Sequence, residues 1–240
     1  MAPSNFRGVI CREFRFTMNY SHCVFSLMLF TSITATLTAA EPLPPDQALL
    51  LAAENGPVAM VRDLLARGAK LEARNDRGWT PLMAATHGNQ IEVAALLISA
   101  GADVNARDNL KDTPYLYAGA EGRLEILRLT LKAGADLKST NRFGGTALIP
   151  AAEKGHVENV RELLKTSVDV NHVNNLGWTA LIEAVMRKRR DPIYTEIVRA
   201  LLAAGADPNL PDHQGMTPLF HAERSGNPEL AALLKAAGGK

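Results

Sequence analysis

The sequence predicts an all-α solenoid of stacked helical pairs, on three observations. A Thr-led signature recurs at a fixed interval: Thr80-Pro81-Leu82, Thr113-Pro114-Tyr115, Thr146-Ala147-Leu148 and Thr179-Ala180-Leu181 start 33 residues apart, and Thr217-Pro218-Leu219 follows after 38. A period of that size marks a stacked-repeat architecture, in which each unit buries its apolar face against its neighbours. Composition agrees, with 47% hydrophobic residues but only 5% aromatics, as suits helices packed through Ala and Leu. Each unit also closes on one short motif: Gly101-Ala102-Asp103, Gly134-Ala135-Asp136 and Gly205-Ala206-Asp207, with Ser167-Val168-Asp169 a degenerate copy.

From the amino end, residues 1–40 stand outside this pattern. Arg7, Arg12 and Arg15 precede an apolar run of about 14 residues from Val24 to Leu37, and Thr38-Ala39-Ala40 ends it with small residues. Basic, apolar and small in that order predicts a secretory signal peptide cleaved after Ala40. The alternative is a permanent amino-terminal anchor, against which the run falls short of the roughly 20 residues that span a bilayer. Met18 is a second candidate start; beginning there removes the arginines from the leader. Cys11 and Cys23 both lie in this segment, so the exported chain has no cysteine for a disulfide, a thiolate nucleophile or a metal site. Removing three arginines and one glutamate (Glu13) from 26 basic and 25 acidic residues leaves 23 and 24. That balance gives no electrostatic argument for a nucleic-acid partner, and no stable membrane span is expected after cleavage.

The remaining chain, residues 41–240, divides into six units at about 46–74, 75–107, 108–140, 141–173, 174–211 and 212–240. Each reads as finger, helix, turn, helix, turn. In the second unit Thr80 caps the first helix and Pro81 takes its first position. Leu82, Met83 and Ala85 face neighbours. Asn89 ends the helix where a left-handed residue is needed, a place held by Gly122, Gly155 and Gly226 elsewhere. Ile91, Val93, Ala94, Leu96 and Leu97 form the second helix; Gly101 ends it and Val104 is buried beneath the next finger. The first unit, with Gly68-Ala69-Lys70, and the last are atypical, as terminal repeats must be.

The Thr-Pro-Leu-x-x-Ala openings with Gly-Ala-Asp-Val-Asn closures resemble ankyrin repeats over essentially all of residues 46–240. In detail, Thr146-Ala147-Leu148-Ile149-Pro150-Ala151-Ala152 and Asn174-Asn175-Leu176-Gly177-Trp178 resemble bacterial exported ankyrin proteins. The family's usual His after Thr-Pro-Leu is replaced by Met83, Leu116, Ile149, Ile182 and Phe220, which predicts apolar contact there. Two further departures stand out. Pro150 removes an early amide donor from its helix, and five extra residues within Arg187–Tyr194 predict an exposed protrusion between two helices.

The resemblance implies that finger tips and first helices line a concave binding face. The tip register holds Arg77, Leu110, Phe143, Leu176 and Gln214, and the position before the cap Thr holds Trp79, Asp112, Gly145, Trp178 and Met216. Exposed apolar residues repeated at one register predict a partner surface, so Trp79, Leu110, Phe143, Leu176 and Trp178 are the expected partner-binding residues. Against this stands the ordinary role of each ring as a shield for its neighbouring finger. Arg187, Lys188, Arg189 and Arg190 form a possible second patch for an acidic protein or lipid headgroup, or else a solvated loop. The histidines share no metal spacing. No His-Glu-x-x-His, nucleophile elbow, phosphate loop or paired catalytic carboxylates is present, so neither catalysis nor a cofactor or metal is expected. Glu183 and His221, inside first helices, are expected to be buried and hydrogen-bonded. The function predicted is a monomeric, non-catalytic protein-binding module outside the cytoplasm, periplasmic if bacterial, that scaffolds or regulates another exported protein. The alternative is a secreted effector that binds host proteins.

Overall fold

A computed structural model describes residues 43–187 and 191–240. The leader and Lys188, Arg189 and Arg190 lie outside the described residues. Twelve helices follow in pairs: α1 Pro45–Asn55 with α2 Val58–Ala66, α3 Pro81–His87 with α4 Ile91–Ser99, α5 Pro114–Ala120 with α6 Leu124–Lys132, α7 Leu148–Glu153 with α8 Val157–Leu164, α9 Ala180–Met186 with α10 Pro192–Ala203, and α11 Pro218–Arg224 with α12 Pro228–Ala236. First helices pack on first helices and second on second, giving two layers with one continuous core between them. Leu82, Leu97, Leu127, Leu148, Leu163, Leu181, Ile197 and Leu234 fill that core. Small residues permit the close approach of the first helices. At Gly119 in α5 an added Cβ would lie 2.8 Å from the Ala147 side chain at the start of α7.

Four of the five cap threonines work as the sequence predicts. Thr80, Thr113, Thr179 and Thr217 accept from the backbone N–H of Met83, Leu116, Ile182 and Phe220 at 3.2–3.3 Å. Thr146 does not, and Pro150 is the reason. In the working caps the next residue's N–H bonds the Thr carbonyl, as Ala84 to Thr80 at 2.9 Å. Pro150 has no N–H to give. The N–H of Ile149 therefore turns to the Thr146 carbonyl at 3.3 Å, and the Thr146 hydroxyl is left buried without a partner.

The predicted left-handed residues are found, Asn89 at φ 54° beside Gly122, Gly155 and Gly226 at 67–79°. Ser167 is different: it lacks the left-handed conformation of Gly101, Gly134 and Gly205. Where Ala102 donates directly to Leu97, the Thr166 hydroxyl intervenes, accepting from Val168 at 3.2 Å and donating to the Leu163 carbonyl at 2.6 Å.

Neighbouring units are clamped at the finger base by one side chain each. Asn105 accepts from the Asp136 N–H at 2.8 Å and donates to the Gly134 carbonyl at 3.2 Å. Asn171 does the same to Asp207 and Gly205, and Asn209 to Lys240 and Gly238. Lys138 occupies this register in the third unit, and the clamp is missing there.

The five-residue insertion corrects the expectation of a simple protrusion. Its last residues are wound into α10, whose 12 residues make it longer than any other second helix. Asp191 caps it through the Ile193 N–H at 3.0 Å. Tyr194 then reaches back to donate to the Glu153 carbonyl at 3.3 Å, and both Ile193 and Tyr194 pack against the core.

Candidate functional site

Each finger is built on one Asx turn. Asn75, Asp108, Asn141, Asn174 and Asp212 use a side-chain oxygen to accept from the tip residue's N–H, and from the N–H two further on, at 2.8–3.1 Å. After the tip the chain must turn left-handed, which glycine does without strain. Gly78, Gly144, Gly177 and Gly215 do so, while Lys111 alone does it with a side chain, at φ 67°. Adjacent fingers are tied where Asn109 N–H bonds the Arg77 carbonyl at 3.1 Å and Asn175 N–H bonds the Phe143 carbonyl at 2.9 Å.

Three of the expected partner-binding residues stand out on these rigid tips: Leu110 is 51% exposed, Phe143 50% and Leu176 51%. The Arg142 guanidinium lies 4.6 Å from the centre of the Phe143 ring, so that tip carries charge and aromatic surface together. Trp178 is half-buried. Trp79 departs from the expectation. It is only 8% exposed, held between the Arg77 guanidinium at 4.7 Å and the His87 ring at 4.4 Å. Its indole N–H donates to the second oxygen of Asp108 at 3.2 Å. The two tryptophans differ because their next fingers differ. The equivalent oxygen on Asp212 is already bonded to the His221 ring at 2.8 Å, and the Trp178 indole finds no donor site among the described residues.

The first-helix face carries a row of rings and charges. His87 stands 5.4 Å from the Tyr117 ring and 3.2 Å from Glu54. Lys154 pairs with Glu121 at 2.5 Å. Arg187, the first member of the expected basic patch, bridges Glu153 at 3.2 Å and Glu183 at 3.0 Å. Its charge is committed inside the protein rather than offered to a partner; Lys188, Arg189 and Arg190 lie outside the described residues. Burial first, and then Glu153, push the Glu183 carboxyl upward against the opposing pull of Arg187. His221 is buried as expected. Its Nε2–H donates to Asp212, which leaves Nδ1 to accept from Arg224 at 3.3 Å. Burial opposes the Asp212 charge, but the Met216 and Gln214 N–H groups and the His221 ring outweigh it and hold this carboxyl below its usual range.

Comparison with known proteins decides the family. Sequence profiles described as ankyrin repeats match residues 18–108, 49–141 and 115–212, and a further one matches 194–234. The chain belongs to the ankyrin-repeat family. Among solved structures it is similar to an ankyrin repeat domain from Acinetobacter baumannii AYE, at 56% identity and TM-score 0.77, covering 80% of this chain and 98% of that one. A second ankyrin repeat protein is 42% identical with TM-score 0.75, covering 79% and 97%. The ankyrin repeat domain of Bcl-3, of the IkappaB family, is 29% identical with TM-score 0.73, covering 80% and 86%. No curated protein matches the chain significantly. Ankyrin repeats are protein–protein interaction modules, and the fold is generally a non-catalytic one.

Sequence reasoning missed the asparagine and aspartate residues that build the fingers, although they too recur at 75, 108, 141, 174 and 212. It also missed that Asp108 would draw Trp79 inward. The signal was an Asp in one copy of an otherwise Asn-bearing register, since only the carboxylate has a second acceptor oxygen to share.

Proposed function

We propose that this ankyrin array binds one protein partner through its finger tips and first-helix face, outside the cytoplasm, as a monomeric scaffold or regulator of another exported protein. The observation that carries the binding site is the run of half-exposed Leu110, Phe143 and Leu176, one per consecutive finger. Large apolar side chains held at one register on hydrogen-bonded hairpins have little conformational freedom left to lose on association. Trp178 adds an aromatic anchor beside them, and rings with nearby arginine are the usual currency of interface hot spots. Export rests on the leader composition alone.

Crosslinking in the native compartment, followed by mass spectrometry, should capture one predominant protein. Phe143→Ala and Trp178→Ala should weaken that capture at least tenfold with little change in Tm. Trp79→Ala should instead lower Tm, because it removes a buried ring and leaves Asp108 short of a donor. Undiminished capture by both tip variants rejects the placement. Fractionation tests the compartment: recovery in the cytoplasmic fraction rejects export, and recovery in the medium moves the partner to a host.

A further inference from the structure

The first-helix face holds four carboxylates around Trp79, His87 and Tyr117, and three of them are satisfied. Glu54 faces His87 at 3.2 Å and Glu121 faces Lys154 at 2.5 Å. Asp108 is the best served, accepting from two backbone N–H groups on one oxygen and from the Trp79 indole on the other. The fourth, Asp112, has a half-buried side chain that makes no hydrogen bond or ion pair with any described residue. Its own backbone is fixed by reciprocal bonds to Asp108, at 2.9 Å in each direction. Tyr117, half-exposed at the open end of the ring row, lies within electrostatic reach of Asp112, Glu121 and Glu54.

We propose that Asp112 and the face of Tyr117 together form the seat for an arginine side chain of the protein partner. This rests on the protein-binding reading above. Charge complementarity argues for a cation, since the one carboxylate lacking a donor sits among acids whose charges are otherwise matched. The neighbouring ring argues for arginine over lysine: a planar guanidinium can stack on an aromatic face while its edge meets a carboxylate. The chain already uses that stacking on itself, with Arg77 on Trp79, Arg142 on Phe143 and Arg224 on Phe220.

The seat is pH-dependent. Burial, and then Asp108, push the Asp112 carboxyl up to about 6, with Arg142 and Lys154 pulling down and Glu121 adding a smaller push upward. Of these cations, Lys154 is neutralised by Glu121, and Arg142 lies over Phe143. On the Tyr117 side, Glu54 and Arg123 are the remaining charged groups within reach, and His87 is the other titrating neighbour. Asp112 is therefore nearly all charged at pH 7.5 and about one-tenth charged at pH 5, which predicts about tenfold weaker binding at the lower pH.

The test uses isotope-labelled purified protein and the peptide acetyl-Gly-Arg-Gly-amide, with lysine and citrulline counterparts, read by amide chemical shifts. The arginine peptide should shift the amides of Asp112, Tyr117 and Glu121 saturably at pH 7.5. Binding should weaken about tenfold at pH 5, and at least tenfold with the citrulline peptide or the Asp112→Asn protein. The lysine peptide should bind several-fold more weakly. Asp112→Asn keeps the backbone bonds to Asp108, so its fold is readable from the same spectra. Equal binding by citrulline or by Asp112→Asn overturns the proposal, as does absence of saturable shifts at the site; equal binding by lysine overturns the choice of arginine. If the crosslinked partner is captured equally by Asp112→Asn, this seat fails and the protein-binding reading stands. If the unaltered protein captures nothing, the reading itself fails.

Discussion

Replacing Pro150 with alanine should make the protein more stable, and the size of the gain follows from the hydrogen bonds around Thr146. Alanine supplies the missing N–H, which can bond the Thr146 carbonyl as Ala84 bonds Thr80 at 2.9 Å. That frees the Ile149 N–H from its 3.3 Å bond to the same carbonyl. It can then meet the Thr146 hydroxyl, which is now buried and unpartnered. A Thr cap is worth about 1 kcal/mol, and satisfying a buried hydroxyl about 1–3 kcal/mol, the two overlapping because they are one bond. Against this, losing proline's restraint on the unfolded chain costs about 0.4–1 kcal/mol. The net is about 1–2 kcal/mol, or a rise in Tm of about 3–6 °C for a chain this long. Urea unfolding followed by circular dichroism measures it. A double-mutant cycle sharpens the test. Thr146→Val should be nearly neutral while Pro150 is present, because the hydroxyl has no partner to lose. In the Pro150→Ala background it should cost about 1 kcal/mol. A Pro150→Ala protein no more stable than the parent would refute the reasoning, as would a large effect of Thr146→Val alone.

Lys111→Gly removes left-handed strain of about 1–2 kcal/mol and adds unfolded-state freedom of about 0.4–1 kcal/mol, so the urea midpoint should rise by an amount equivalent to about 0.5–1 kcal/mol. Asn171→Ala, which breaks both bonds of a finger-base clamp, should cost about 1 kcal/mol; Lys138→Ala, at the same register without a clamp, should stay within about 0.5 kcal/mol of the parent. Asp112→Asn should stabilise the protein by about 1–2 kcal/mol at pH 7 and by nothing at pH 4. The sign follows from a folded-state pKa of about 6 above the ordinary carboxyl value. The native state holds this proton more tightly, so stability is full at low pH and is lost as pH rises through about 6. A gain that persists at pH 4 would refute that account.

Most of the frame was legible because its signals are local and repeated. Thr caps, helix-ending Gly and Asn89, and Gly-Ala-Asp closures each act within a few residues, and five copies at one register leave little ambiguity. The failures arise where one residue's role is set by a partner far along the chain. Trp79 and Trp178 share a register, yet Asp108 binds one indole while His221 takes the matching oxygen of Asp212 from the other. Pro150 was legible as a lost donor, but its effect on Thr146 needed the helix geometry. Arg187 read as the start of a basic run. Glu183, one turn back on the same helix, was visible in the sequence, whereas Glu153 reaches it only through the stacking of α7 on α9.

The unit at 141–173 is the least well fastened: its cap hydroxyl is idle, its closure runs through Thr166, and Lys138 leaves it unclamped on one side. On its other side the five surplus residues send Tyr194 across to Glu153, with Ile193 wedged alongside. An engineer who trimmed this array to uniform modules would thus be cutting a strap. The joint it spans would become the first seam to open under load.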